Sequence, residues 1–333
     1  MSGTSWKLAA IAAMVTLLPT LAQAQEKSIA FMRAGPDPYY QFGMNAAEVA
    51  AKDLGVNLST YSANNDSSQE LANIQDAITK GVNGILIYAV SLSSEKAAIA
   101  QAQKAGVPIF FQYGYDPSLL KDTAGFMQID VGTFAVPLGD WMGKHVPDGE
   151  IAIISGKLGR GDAEAYSSGF KNGLKASGSK ATIVAEVPGD WNRQQALDAT
   201  AQILTGHPDL KGLYVHNEDM AVGASIAIER AGKTGQVAMV SGNGAPYGLD
   251  LIKQDKLALT NANPPSIASV MALRLLVGIT DKKIEPGHYY DAPTQLINKS
   301  NVDTATRWDA PPDQIKGWLA LPLPKPVVPA PGQ

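Results

Sequence analysis

Residues 65–88, NDSSQELANIQDAITKGVNGILIY, decide the fold. Ser67 and Glu70 stand at capping-box spacing, Leu71, Ile74, Ala77 and Ile78 recur on one helical face, and Gly81 closes the run, which predicts a helix. The stretch Gly84 to Tyr88 that follows is apolar at successive positions. A strand of that kind must be buried on both faces, as the central strand of a parallel sheet is when helices cover each side.

The same alternation extends in both directions. Upstream, Ser28 to Met32 reads as a buried strand, Pro36-Asp37-Pro38 as a turn, Phe42 to Leu54 as an Ala-rich helix ended by Gly55, and Val56 to Tyr61 as a second strand. Downstream come a helix at Ala97 to Ala105, a strand at Val107 to Phe111 and another at Gly125 to Ile129. After Gly132 the pattern starts afresh, with strands at Ile151 to Ser155, Thr182 to Val187, Gly212 to Val215 and Val237 to Ser241, and helices between them. Strand-helix alternation of this kind predicts an α/β fold with parallel sheets, here in two similar series. A strand near Leu257 to Asn261, a helix from Ser266 to Gly278 and a strand near Thr294 to Ile297 are too few for a third domain and are expected to complete the first two. From Trp308 onward, Pro311, Pro312, Pro322, Pro324, Pro326, Pro329 and Pro331 predict a tail without regular helix or central strand. Trp318 and Leu319 are candidates for pinning that tail to a lobe, and its last ten residues are expected to be an extended or disordered end.

The chain opens with Lys7, an apolar stretch from Leu8 to Leu21 and then Ala22-Gln23-Ala24, the charged, apolar and small-residue order of an export signal cleaved after Ala24. Thr16, Pro19 and Thr20 break the apolar run, which argues against a membrane anchor. The chain contains no cysteine, so disulfides, thiolate metal ligands and a thiol nucleophile are excluded, and Gln25 stands where a lipid-bearing cysteine would be needed. With 333 residues, 45% hydrophobic and 17% charged, the composition is that of a globular protein large enough for two domains. A formal charge of -4 argues against a nucleic-acid partner.

Several stretches together resemble the ribose-binding branch of the type I periplasmic solute-binding proteins of ABC transporters. The run from Asn65 through Gln69, Glu70, Leu71 and Ile74 to Gly81 with Ile85-Leu86-Ile87 is similar to that family's second helix and third strand. Ala105-Gly106-Val107-Pro108, Gly169-Phe170 and the ending Asn298-Lys299-Ser300-Asn301-Val302-Asp303 are similar to further family segments. The most specific stretch runs from His207-Pro208-Asp209 to Asn217, Asp219, Met220, Ala221, Gly223 and Ala224. The resemblance implies two doubly wound lobes joined by a three-segment hinge near 129–131, 261–263 and 290–292, with a ligand clamped between them. It assigns 25–129 and 263–291 to the first lobe, 130–262 and 292–307 to the second, and leaves 308–333 as the tail. It further implies a periplasmic monomer that binds a sugar, polyol or related small polar molecule and delivers it to an inner-membrane ABC permease, or presents it to a chemoreceptor, with neither cofactor nor metal.

Ligands of open parallel sheets bind beyond the carboxyl ends of the strands, so the site can be expected at those ends. The first lobe then offers Arg33, Asp37, Tyr39, Tyr40, Tyr88, Gln112 and Tyr113, and the second offers Tyr166, Trp191, Asn217 and Asn243, with Asn263 on the second crossover. Pro38-Tyr39-Tyr40 is similar to the family's sugar-stacking loop, where flat rings cover the apolar face of a sugar while hydroxyls turn to amides and charges. Departures from the family pattern stand out as well. Tyr113 and Tyr166 occupy places where the family carries an aspartate and an arginine for sugar hydroxyls, and Asn243 replaces a further aspartate. Removing partners built for a hydroxyl changes the ligand class, so a deoxy, amino or cyclic polyol ligand is expected in preference to ribose.

Each of these residues also has a structural reading. Strand-end tyrosines can pack a lobe interface, Arg33 can pair with an acidic neighbour on its own lobe, and Asp130 can cap the following helix. The loop from Gly156 to Gly161 fits neither the dinucleotide nor the nucleoside-triphosphate glycine pattern and reads as a tight turn. His145, His207, His216 and His288 are not at helical metal-ligand spacing, and no Gly-x-Ser-x-Gly elbow is present. An exported carbohydrate-active enzyme would need paired carboxylates in the cleft, where Asp37 is the sole obvious acid. A binding protein for a heterocyclic or signalling molecule, serving a sensor, is the other alternative, favoured by the tyrosines and disfavoured by the asparagines.

Overall fold

The computed structural model describes residues 26–113, 117–158 and 161–328. The export signal predicted for residues 1–24, two residues of the glycine loop (159 and 160) and the last five residues of the tail lie outside the described residues.

The first sheet is built from β1 (Lys27–Arg33), β2 (Val56–Ser62), β3 (Gly84–Ile87), β4 (Ile109–Phe111), β5 (Gly125–Gln128) and, from far along the chain, β11 (His288–Asp291). Its strand order is β11-β5-β4-β3-β1-β2, parallel throughout. Around it lie α1 (Pro38–Asp53), α2 (Ser67–Thr79), α3 (Leu92–Ala105) and α9 (Pro265–Thr280). The second sheet holds β6 (Glu150–Ser155), β7 (Thr182–Pro188), β8 (Leu210–Val215), β9 (Ala238–Asn243), β10 (Leu259–Ala262) and β12 (Gln295–Asn298), in the order β12-β10-β9-β8-β6-β7. Its helices are α4 (Val136–His145), α5 (Asp162–Ala176), α6 (Arg193–Gly206), α7 (Glu218–Arg230) and α8 (Pro246–Lys253), and a last helix, α10 (Pro312–Trp318), follows β12. In this sheet the edge strand β12 runs antiparallel, against β10.

Side-chain alternation along the strands divides the core of each lobe into two layers. Ile29, Phe31 and Leu86 pack with the α1 and α9 residues Ala47, Ala50, Leu273 and Leu276. Their neighbours Ala30, Met32, Ile85 and Ile87 turn to the opposite face, against Ile74, Ala77, Ala98 and Ala102 of α2 and α3. In the second lobe Ala152 and Ile154 meet Ala196, Ile203, Met220 and Ala224, while Ile151 and Ile153 meet Leu138, Met142, Phe170 and Leu174. Here α4 and α5 approach with almost no side chain between them. A Cβ on Gly139 would lie 2.0 Å from the Phe170 carbonyl oxygen, and one on Gly173 the same distance from the Val136 oxygen.

Among the element boundaries that differ from the sequence expectation, three have a clear local reason. The α2 cap is Asp66, whose carboxylate accepts from the amides of Ser68 and Gln69. Ser67 is therefore the first helical residue, and Glu70 turns inward to accept from the Val90 amide at 2.7 Å instead of closing a capping box. Helix α1 begins at Pro38 and not near Phe42, because Asp37 caps it through the Tyr39 amide and proline suits the first helical position. Tyr39 and Tyr40 thus sit on a helical turn and not in a loop. The tail contains regular helix after all: in α10 the prolines fall at the cap, Pro311, and at the first helical position, Pro312, where no amide hydrogen is required. Trp318 of this helix is buried against the first lobe.

The chain passes from the first sheet to the second between β5 and α4, returns between β10 and α9, and crosses again between β11 and β12. These passages set the carboxyl ends of both sheets beside the same stretch of chain.

Candidate functional site

Strand β1 ends at Arg33, and the turn that follows places Tyr39 and Tyr40 in the first turn of α1; β3 ends just before Tyr88, and β4 just before Gln112 and Tyr113. The four tyrosines form one cluster around Tyr39, whose ring centroid is 6.0 Å from Tyr40, 6.0 Å from Tyr88 and 5.8 Å from Tyr113, each edge to face. Tyr40 lies 4.9 Å from Tyr88. Polar tips order the rings. Asn263, next to β10, donates from Nδ2 to the Tyr113 hydroxyl at 2.7 Å and to that of Tyr39 at 3.4 Å, and Tyr39 donates to Tyr113 at 3.3 Å. Beneath them the Tyr88 hydroxyl meets Ser269 Oγ at 3.1 Å, and Ser269 donates to Gln112 Oε1 at 3.0 Å. Burial pushes the phenols of Tyr39, Tyr88 and Tyr113 well above their ordinary range, so they act as neutral hydrogen-bonding groups.

The second lobe brings a matching group. Phe134 lies 5.4 Å from Tyr166, Tyr166 lies 6.4 Å from Trp191, and the imidazole of His216 is 5.7 Å from Tyr166 and 5.9 Å from Trp191. His216 is fully buried. Its Nδ1 accepts from the Gly156 amide at 3.0 Å, which leaves the proton on Nε2 to be donated to Ser167 Oγ at 3.1 Å. Burial lowers its pKa to about 3, so the ring is neutral. A serine nucleophile would need the reverse arrangement, with the imidazole accepting from the hydroxyl. Trp191 takes up a left-handed backbone (φ 59°), and its indole covers Gly156 so closely that a Cβ there would lie 2.0 Å from the ring.

The two groups belong to a single buried cluster that includes Tyr39, Tyr88, Phe134 and Tyr166, with Tyr40, Tyr113 and Trp191 packed against it. Asn263 joins them through the backbone as well, donating its amide to the Asn243 carbonyl at 3.1 Å. Among the described residues, the buried side-chain atoms Asn263 Oδ1, Asn243 Oδ1 and Gln112 Nε2 have no protein hydrogen-bond partner. Such atoms are costly to bury and suit a polar guest.

The remaining residues expected at the site take other positions. Asn217 spends Oδ1 on capping α7, accepting from the Met220 amide at 3.0 Å. Arg33 donates to Gln41 on α1, and no hydrogen bond ties it to the tyrosines among the described residues. Asp37 is the α1 cap; burial is the main reason its carboxyl stands above the usual range, with Asp219 of the second lobe a smaller contribution of the same sign. Asp219 itself is held by Arg193 at 2.6 Å.

Four contributors were not identified as site residues from sequence: Phe134, His216, Ser269 and Trp308. Trp308 packs edge to face on Tyr39 at 5.1 Å and donates from Nε1 to the Asn243 carbonyl at 2.9 Å. His216 follows β8 directly, beside Glu218 and Asp219, but nothing in the sequence shows that it orders the Gly156 loop. Glu218, next in line to Asn217, is buried and holds the turn after β9 through the Gly244 amide at 2.6 Å and Thr260 Oγ1 at 2.5 Å.

Two open α/β sheets whose carboxyl ends converge on rings and amides define a two-lobed binding protein, with chemistry suited to holding a small molecule and not to transforming it. The chain belongs to the family of the periplasmic binding protein domain, which matches residues 29–283. It is 28% identical over 270 residues to the D-allose-binding periplasmic protein of Escherichia coli (strain K12), covering 78% of this chain and 86% of that protein. It is 29% identical over 264 residues to the ribose import binding protein of Salmonella typhimurium (strain LT2), covering 78% of this chain and 87% of that protein. Among solved structures, the ABC transporter periplasmic solute binding protein from Actinobacillus succinogenes 130z with bound D-allose superposes with a TM-score of 0.78 at 23% identity, covering 84% of this chain and 100% of that one.

Proposed function

We propose that this protein is the exported substrate-binding component of an ABC importer, and that it captures a sugar, polyol or related small polar molecule by closing two lobes around it. The observation that carries the reading is the ring-and-amide cluster shared by the two sheet ends, with three buried amide atoms lacking a protein partner. Family membership and relatives that bind ribose and allose support the ligand class.

In this reading residues 1–24 direct export and are removed. Closure turns about the passages near 129–131, 261–263 and 290–292. A guest touching both lobes stabilises the closed form, whereas one touching a single lobe has no differential affinity and selects nothing. Tyr39, Tyr40, Tyr88 and Tyr113 supply flat faces from one side and Tyr166 and Trp191 from the other, while Asn263 and Asn243 address hydroxyls. Asp37 and Asn217 serve as helix caps and Arg33 donates to Gln41, so these three are secondary candidates for the ligand. The closed monomer is what an inner-membrane permease, or a chemoreceptor, recognises.

With Tyr113 and Tyr166 presenting neutral hydroxyls where charged side chains would grip a pentose, ribose is a poor ligand, and a deoxy, amino or cyclic polyol compound is preferred. Titration calorimetry against a panel of pentoses, hexoses, deoxy and amino sugars, inositols and nucleobases tests this. Tight binding of one sugar or polyol, recovered unchanged, is the expected result. Submicromolar binding of free ribose overturns the preference, and binding of nucleobases alone overturns the ligand class.

A further inference from the structure

The chain does not stay in the second lobe after β12. Ala305 is buried in that lobe's core beside Ala262, Ile297 and Val302, and the Thr306 amide donates to Gln295 on β12 at 3.2 Å. Trp308, Ala310, Ile315 and Trp318 belong instead to the cluster that contains Tyr39, Ala47 and Leu276. Helix α10 packs on α1 and α9. The new path is fastened at several points: Ser266 Oγ donates to the Arg307 carbonyl at 2.8 Å, and the Arg274 guanidinium donates to the carbonyls of Trp318 at 3.1 Å and Leu321 at 2.8 Å. Further on, the Val327 amide donates to the Tyr289 carbonyl at 2.9 Å beside the edge strand β11. Residues 305–321 therefore form a fourth stretch of chain between the lobes, in addition to the three passages of the fold.

Trp308 stands near its start, where the chain leaves the second lobe, and is 5% exposed. Its indole presses edge to face on Tyr39, the hub of the first-lobe rings, and its Nε1 holds the carbonyl of Asn243, a second-lobe residue kept at φ 89°. One side chain thereby touches a candidate ligand contact on each lobe. A left-handed asparagine persists only where its surroundings fix it, and a hydrogen bond to its carbonyl is such a restraint.

We propose that Trp308 is a positioning residue of the binding site, and that residues 305–321 act as a fourth inter-lobe connection that limits how far the lobes part and sets the distance between Tyr39 and Asn243. The ligand-positioning half of this inference rests on the cleft being the binding site; the restraint on opening does not.

The chain has no cysteine, so spin labels can be placed on Lys104→Cys and Lys175→Cys, exposed positions on α3 and α5, and the inter-lobe distance measured without ligand. Trp308→Phe keeps a smaller ring on the side of Tyr39 and removes the Nε1–H together with the rest of the indole; Trp308→Ala removes both contacts. The expected result is a longer and broader distance distribution in Trp308→Phe, larger still in Trp308→Ala, with about tenfold weaker binding of the tightest panel ligand by Trp308→Phe, a tenfold loss being the size of one buried hydrogen bond. A merely structural tryptophan would lower the melting temperature and leave both distance and affinity alone. Should Trp308→Ala fail to fold, Trp308→Phe decides. Unchanged distances overturn the restraint, and unchanged affinity overturns the positioning role. If the parent protein binds nothing in the panel, it is the proposed function that fails, while the label distances still decide the connection.

Discussion

His216 and Glu218 lie two residues apart where β8 gives way to α7, and both are buried ionisable groups with opposite consequences for stability. Burial lowers the histidine to about 3, below its unfolded value, so its contribution is complete above about pH 6.5 and is lost as pH falls toward 3. Burial raises the Glu218 carboxyl to about 7, against hydrogen bonds from Thr260, Gly244 and Ala245 that pull the other way. The folded state then holds its proton up to about pH 7, and stability falls as pH rises from about 4.5 through 7. Glu218→Gln removes that second dependence alone. Thermal melts at several pH values are expected to show the variant gaining on the parent as pH rises from 5 to about 8, and a difference that does not change with pH would refute the assignment. Gly156 offers a test of the ring wall: Gly156→Ala drives a Cβ into the Trp191 indole. Ligand affinity should fall at least tenfold, measured by calorimetry, since a ring displaced by an ångström no longer stacks on its guest.

At the scale of the element, the sites of closest packing are as informative as the cluster of rings. Helices α4 and α5 meet backbone to backbone through Gly139 and Gly173, so Gly173→Ala must force them apart. Overpacking of this kind costs about 1–3 kcal/mol, and the expected readout is a melting temperature several degrees lower with ligand affinity preserved, because neither helix interior contributes a stacking ring near that contact. A melting temperature equal to that of the parent would show that the helices separate freely. Capping explains where sequence reading of elements stopped short. Asp66 outcompeted Ser67 because a carboxylate placed one residue earlier reaches two amides, and Asp37 drew the start of α1 back to Pro38. Period and composition locate a helix well, but which of two neighbouring polar residues becomes its cap depends on a turn geometry that the sequence does not display.

For the whole molecule, closure by hinge motion predicts compaction on binding. Small-angle scattering with a saturating panel ligand is expected to give a smaller radius of gyration than the empty protein, and an identical radius with bound ligand would rule out hinge closure in this protein. The fourth connection bears on the amplitude, since each tie between lobes reduces the set of open forms the empty protein can visit. A restrained open state lowers the conformational cost of closing and so favours affinity over ease of release.

Much was determined by the sequence alone. Alternating apolar runs and periodic helices specified two α/β lobes, because burial on both faces of a parallel strand leaves a continuous apolar signature, and here each such run is followed by a helix-length periodic segment. The strand ends then pointed to Tyr39, Tyr40, Tyr88, Tyr113, Tyr166, Trp191, Asn243 and Asn263, and these are the residues the tertiary structure gathers around the junction of the lobes. Only that structure decided that Arg33 turns to Gln41, that Asn217 is occupied as a helix cap, that His216 fixes the Gly156 loop, and that a proline-rich tail folds back to set Trp308 between Tyr39 and Asn243. Local pattern fixes which residues reach a strand end. Which hydrogen bond each side chain makes there depends on the turn it stands in and on partners as far as 65 residues away, whose approach no periodicity records.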